Sequence, residues 1–303
     1  MKSTNIAEHA TVRPAPNGAE DYGQWRLAKL ADWLPRDMPP PVPIAEPRRL
    51  SDTERRDIVA RCRRHNFAVY ETAGTMDGAD LLAMSAQVGL RDIERPLLTE
   101  GNGVTELSVA NTPADRRGAY IPYTDKPLSW HTDGYNNPLG RWVQGMVLHC
   151  VQPAGHGGAL SVLDPELVYI RLHDENPAWA AALMHPETLT IPANDLEPDG
   201  VREAVSGPVF TWLAGCLIMR YTHRTRHAIW RDDPETLAAR AFLRDYLDAG
   251  EDIAMHHALG PGQGLISNNV LHRRDGFDDA VKSSQARLVY RARFRDRVAD
   301  IIS

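Results

Sequence analysis

The apolar positions change period along the chain, and those changes mark its elements. Ser51-Asp52-Thr53-Glu54 is a capping box, predicting a helix that runs to about Asn66. Residues 67–72 then read as a strand. A second helix is expected from about Met76 to Val88, with Leu81, Leu82, Met84 and Val88 as its apolar stripe. From residue 104 the pattern turns strand-like, at 104–109, 142–150 and 159–163, the last of these after Gly157-Gly158. Helical spacing interrupts at about 165–174 and 178–184. Strands resume at 209–212 and 216–220. Asp232-Asp233-Pro234-Glu235 then starts a helix to about Leu247. The last strands are 264–267 and 287–294. Strands that do not alternate regularly with helices, but are broken by helical insertions, predict an α+β chain with a mainly-β core. The expected architecture is a jelly roll with flanking and inserted helices.

Residues 1–50 read differently. Pro14, Pro16, Pro35, Pro39, Pro40, Pro41, Pro43 and Pro47 prevent a long helix there. An irregular N-terminal arm is expected, anchored by Trp25, Leu27, Leu30, Trp33 and Leu34 on a short helix, with one domain from 51 to 303. A hydrophobic fraction of 43% and a charged fraction of 24% are ordinary for a globular protein. The net charge of −6 supplies no basic field for nucleic acid or anionic membrane. No apolar run reaches membrane-spanning length and no secretory leader is visible, which implies a cytoplasmic protein. Cys62, Cys150 and Cys216 are unclustered and read as reduced thiols, which argues against a thiol-ligated zinc site.

The candidate chemistry centres on Trp130-His131-Thr132-Asp133-Gly134. A His and a carboxylate two apart share one face of an extended strand. With one further His they would make the two-His, one-carboxylate triad that holds non-haem Fe(II). With 12 His and 40 Asp plus Glu in 303 residues, His-x-Asp/Glu arises by chance about once or twice. Three cases occur. His173/Glu175 has helical spacing, where such a pair does not share a face, and His185 is followed by Pro186. His131/Asp133 alone lies in an aromatic-rich stretch bounded by Pro and Gly. His272 is the candidate third ligand, in a polar segment beyond the 264–267 strand. Arg287 and Arg291, four apart on a strand, share a face, and two arginines facing inward require anions. Arg293 shares that face too, so a run of solvated charges is the competing reading. His223 and His227 form a basic patch read as a solvated loop.

As an ordered set, Trp130-His131-Thr132-Asp133-Gly134, Gly157-Gly158, Leu271-His272-x-Arg274-x-x-Phe277 and Arg287-x-x-x-Arg291 resemble the taurine dioxygenase-like (TauD/TfdA) Fe(II)/2-oxoglutarate oxygenases. The resemblance covers roughly residues 50 to 295. It implies a double-stranded β-helix, another name for the jelly roll, with His131, Asp133 and His272 as iron ligands. It further implies Arg287 on the far carboxylate of 2-oxoglutarate, and Arg291 at the substrate or backing that site. Tyr123, Trp130, Tyr135 and Asn269 are the other candidate substrate residues. The expected reaction is hydroxylation of a small polar or acidic metabolite with O2, releasing succinate and CO2, by a homodimer or higher homo-oligomer. A non-catalytic jelly-roll binding protein and a zinc-dependent hydrolase are the alternatives. Two departures from the family pattern stand out. Leu160 occupies a position where a hydroxyl is expected to help hold 2-oxoglutarate, and residues 123–127 do not match sulfonate-binding members. Taurine is therefore not the expected substrate.

Overall fold

The computed structural model describes residues 19–31, 40–95, 101–109, 116–138, 140–194, 202–225, 228–249, 254–278 and 286–299. The chain opens with helix α1 (Ala19–Ala31), strand β1 (Val42–Ile44), helix α2 (Asp52–His65), strand β2 (Phe67–Thr72) and helix α3 (Gly78–Ala86). Short strands β3 (Ile93–Glu94), β4 (Thr105–Leu107) and β5 (Leu128–His131) precede the long β6 (Gly145–Gln152). Next come β7 (His156–Gly157), β8 (Leu160–Leu163), α4 (Pro165–Glu175), α5 (Pro177–Ala182), β9 (Leu189–Ile191), β10 (Val205–Gly207), β11 (Phe210–Leu213), β12 (Cys216–Met219) and β13 (Ile229–Trp230). Helix α6 (Pro234–Ala249) leads to β14 (Met255–His257), β15 (Gln263–Ser267), β16 (Leu271–Arg274), β17 (Phe277–Asp278) and β18 (Leu288–Phe294).

Two sheets hold the centre. The larger has the order β1-β2-β15-β6-β18-β3, with β4 also on β18; the smaller has the order β14-β8-β16-β5. Between them lies an apolar layer containing Val69, Met146, Leu148, Leu160, Val162 and Val289. The opposite face of the larger sheet packs on α2 and α3 through Ile58, Cys62, Leu81, Met84 and Phe294. The outer face of the smaller sheet presents Trp130, Leu163 and Leu271 to α1, α4, α6 and the small sheets. Strand β6, buried from Gly145 to Cys150, runs through the middle of the larger sheet with apolar contacts on both faces.

The local causes match the expected elements closely for α2 and β2. Ser51 Oγ accepts from Glu54 N–H while Glu54 accepts from Ser51 N–H, and Asn66 ends the helix in the left-handed region at φ 62°. The described parts of the N-terminal arm, 19–31 and 40–50, hold more regular structure than the prolines suggest. Trp25 is buried and Leu30 packs beside it, whereas Leu27 is 66% exposed. Trp33 and Leu34 lie outside the described residues. Residues 42–44 pair in parallel with β2 as an edge strand, the position in a sheet that tolerates Pro43. Lys29 pins α1 to the body: its buried ammonium meets Asp164 and Glu166, each at 2.5 Å, and donates to the Arg64 carbonyl at 2.8 Å.

Candidate metal centre and its cavity

His131 ends β5 and His272 lies on β16, and the two are direct partners across that antiparallel pair. The register between these strands slips. His272 opposes His131, but Arg274 opposes Leu128, so β5 carries one extra residue. This bulge is what aims the site. Regular alternation would turn residues 128 and 131 to opposite faces. With the bulge, Leu128 lines the inner cavity and His131 meets His272, while Trp130 points outward into the helical core.

Asp133 does not share a strand face with His131 as expected; β5 stops at His131 and Asp133 lies in the turn that follows. Asn269 holds that turn. Its Oδ1 accepts from Asp133 N–H at 2.9 Å, and its amide donates to the carbonyls of Asp133 and Val143 at 3.0 and 2.7 Å. Asn269 itself adopts φ 52°, a region Asn tolerates better than most residues. Ligand atoms of His131, Asp133 and His272 all fall within 4.8 Å of one another, and all three residues are buried.

The tautomers follow from the partners. Nδ1 of His131 lies 2.9 Å from the Ser129 carbonyl, and Nδ1 of His272 lies 2.9 Å from the Val270 carbonyl. A carbonyl can only accept, so each Nδ1 carries the proton and each Nε2 presents a lone pair. Burial, and then the neighbouring His131, push the His272 pKa down to about 3, keeping the ring neutral. Burial would raise the Asp133 carboxyl, but the Arg291 guanidinium, 3.2 Å from Oδ2, overrides it and holds the group well below the usual carboxylate range. Asp133 Oδ2 nonetheless has no hydrogen-bond donor. An ionised, incompletely satisfied carboxylate beside two neutral imidazole nitrogens is a donor set that fits a divalent cation with one side left open.

Behind the three residues a cavity of about 130 Å³ opens between the sheets, lined by Leu128, Leu148, Leu160, Arg274, Arg287 and Arg291 among others. Arg287 and Arg291 thus face inward together. Arg293, on the same face, is neutralised by the buried Glu94 at 2.6 Å, a pairing the sequence pattern did not reveal. Leu160 lines the cavity, whereas Ser161 turns away to His256 and Arg273. Arg274 is a cavity residue to which the sequence reading gave no role. Burial, and then the Arg287 charge, press its guanidinium down to about 10.

The other candidates separate. Tyr123 is buried in the layer between the sheets, its hydroxyl pKa raised by burial and moderated by the Arg291 charge. Tyr135 is half-buried against the helical core and lends its carbonyl to Arg220. Trp130 is committed elsewhere, with Nε1 on the Leu247 carbonyl and its ring under Arg273. Asn269 has its whole amide engaged by backbone, so neither it nor Trp130 offers a side chain to a substrate. His223 is no free loop residue: its N–H donates to the Trp130 carbonyl and its ring meets Asp248 at 3.1 Å. His227 lies outside the described residues.

Comparison with known proteins gives the chain's family. Residues 28–293 match the family model "Taurine catabolism dioxygenase TauD, TfdA family". A uridine-5'-phosphate dioxygenase from Streptomyces sp is 33% identical over 199 residues, spanning 62% of this chain and 66% of that protein. Among solved structures, an asparagine oxygenase in complex with Fe(II), a hydroxyasparagine and succinate superposes with a TM-score of 0.59 at 18% identity, covering 92% of this chain and 85% of its own. The non-haem iron oxygenase OrfP, in complex with Fe and α-ketoglutaric acid, gives 0.59 at 15% identity over 84% and 82%. A taurine dioxygenase from Burkholderia xenovorans gives 0.58 at 15% over 86% and 88%. At these identities the structural likeness speaks for the fold, and the family match speaks for the lineage. The chain belongs to the TauD/TfdA family of dioxygenases, non-haem iron enzymes that use 2-oxoglutarate.

Proposed function

We propose that this protein is an Fe(II)/2-oxoglutarate dioxygenase that hydroxylates an unactivated C–H bond of a small acidic metabolite, a nucleoside 5'-monophosphate being the favoured class. The observation that carries the reading is the convergence of His131 Nε2, His272 Nε2 and the Asp133 carboxylate, with both imidazoles fixed by backbone carbonyls. In this reading those three residues hold the iron, Arg287 holds the distal carboxylate of 2-oxoglutarate, and the two facing sheets are the halves of a jelly roll. The enzyme acts in the cytoplasm, as a homodimer or higher homo-oligomer. Among the described residues no helix is long and apolar enough to cross a membrane.

Iron with 2-oxoglutarate, when bound, supplies the oxidising power and releases succinate and CO2. The rest is the work of this chain. A metal held by His131, Asp133 and His272 would leave its remaining positions to cosubstrate and O2. Arg291 keeps Asp133 ionised. Leu128, Leu148, Leu160 and Val289 make an apolar wall that limits water beside the reacting centre. The phosphate class rests on the Streptomyces relative, far nearer in sequence than the amino-acid oxygenases.

The test is an anaerobic Fe(II) titration with 2-oxoglutarate, read by visible absorption, followed by a succinate-release screen. The screen compares uridine 5'-monophosphate and other nucleotides with asparagine, arginine and taurine. A charge-transfer band that needs both iron and 2-oxoglutarate, and is lost in His131→Ala and His272→Ala, is expected. Nucleotides should raise succinate release above the substrate-free rate. Absence of the band would sink the oxygenase reading, and stimulation by amino acids alone would sink the nucleotide class.

A further inference from the structure

The inner face of the smaller sheet holds an arginine that the reading above does not use. Arg274 and His272 alternate onto one face of β16, opposite Leu160 and Val162 of β8. Arg274 is 94% buried by its 6% exposure, and it lines the same cavity as His272, Arg287 and Arg291. Its terminal nitrogens donate to the carbonyls of Pro122, Thr124 and Lys126, which ties β16 to the segment carrying Tyr123. Its Nε–H, in contrast, is buried without an acceptor, and among the described residues Arg274 makes no ion pair.

A second feature points to what is missing. The guanidinium of Arg274 lies 4.7 Å from the centroid of the Phe277 ring, and that of Arg287 lies 4.9 Å from the same ring. The shared ring places the two guanidinium groups side by side at the end of the cavity that both line. An anionic oxygen placed beside them would meet the unmatched Nε–H of Arg274. The strand opposite offers no alternative donor on this face, since Leu160 and Val162 are apolar.

We infer that Arg274 and Arg287 together form a two-guanidinium seat for the distal carboxylate of 2-oxoglutarate, with Arg274 supplying through Nε the hydrogen bond that Leu160 cannot. This rests on the oxygenase reading, and it assigns Arg274 a binding role as well as its hold on the 122–126 segment. A compact carboxylate between two arginines would make the cavity select strongly for a dicarboxylic 2-oxo acid.

Two ligands separate binding from support: 2-oxoglutarate, and 2-oxopentanoate, which has the same carbon count without the distal carboxylate. Each is titrated anaerobically into the Fe(II) protein and read by the charge-transfer band, for wild type, Arg274→Gln and Arg274→Lys. Loss of one charged hydrogen bond predicts about tenfold weaker 2-oxoglutarate binding in Arg274→Gln, with 2-oxopentanoate changed less than about twofold. Adding Leu160→Thr to either variant places a hydroxyl on the same rung and should recover part of the loss. Should Arg274→Gln not fold, Arg274→Lys keeps the charge, lacks the Nε donor and must show the same selectivity. Equal weakening of both ligands, or no weakening of either, would overturn the inference and leave Arg274 as a brace for the loop. No band in wild type would instead be a failure of the oxygenase reading.

Discussion

Asn269→Ala would strip three hydrogen bonds at once from the turn that carries Asp133. The amide meets Asp133 N–H at 2.9 Å, the Asp133 carbonyl at 3.0 Å and the Val143 carbonyl at 2.7 Å, all at buried residues. Each buried partner left unmet costs about 1–3 kcal/mol, and water entering the vacated space recovers part, so the expected loss is about 3–6 kcal/mol. Alanine must also keep the left-handed backbone at φ 52°, which adds about 1 kcal/mol that glycine would not incur. Set against a typical domain stability of about 5–15 kcal/mol, that is a severe lesion. The same lesion should loosen the aim of the carboxylate and weaken Mn(II) or Fe(II) binding by about 10- to 100-fold. Urea unfolding of the metal-free protein measures the first effect, and metal titration in native buffer measures the second, with Asn269→Gly as the comparison. If stability drops while metal affinity stays at the wild-type value, Asn269 supports the fold and does not aim Asp133.

Lys29→Met leaves Asp164 and Glu166 without their shared cation, and breaking a buried ion pair from one side costs about 3–5 kcal/mol. Thermal unfolding should show a clear drop, and an unchanged Tm would mean that α1 contributes nothing to the body. Burial pushes the His149 pKa down to about 4 and the His272 pKa down to about 3, both below the ordinary histidine value of 6.5. As pH falls below 6.5 the unfolded chain therefore takes up protons first, so metal-free stability should decline towards pH 4. Urea midpoints across that window should fall less steeply in His149→Phe; an identical slope would assign the acid sensitivity to other groups. Gly157 sits at φ +76°, and a Cβ there would lie 2.4 Å from the Gly276 carbonyl oxygen, so Gly157→Ala should pry β7 from β17 beside the cavity. Weaker 2-oxoglutarate binding with a modest Tm loss is expected, and wild-type affinity would refute the coupling.

Elements whose causes are local were legible in the sequence. The Ser51/Glu54 box, the β-rich run 67–72 and the Pro234 start of α6 each carry their own signal. The three residues that converge, His131, Asp133 and His272, were legible as residue types in order. What could not be read was how the chain aims them. The extra residue in β5 shows only against its partner β16, and the strand containing His272 has no alternating pattern of its own. Hence His272 looked like a loop residue and Asp133 like a strand neighbour of His131. Arg293 looked solvated because Glu94, on a two-residue strand far away in sequence, gives no sign of the pairing. Strand β1 was hidden by its proline, which only an edge position excuses. Each failure concerns a contact between distant segments.

His131 and His272 face each other across a single rung, yet residues 132–271 lie between them. On the ribosome the candidate metal corner cannot form until β16 has emerged and found β5, after much of the helical core has been made. If a metal occupies it, the same rung becomes a cross-link at the neck of a very long loop, and metal binding adds to the stability of the folded chain. The span it closes is a loop in which added length costs little, because closure entropy grows only with the logarithm of length. The chain between the two histidines can therefore be remodelled in length and sequence while the His131–His272 rung stays as it is.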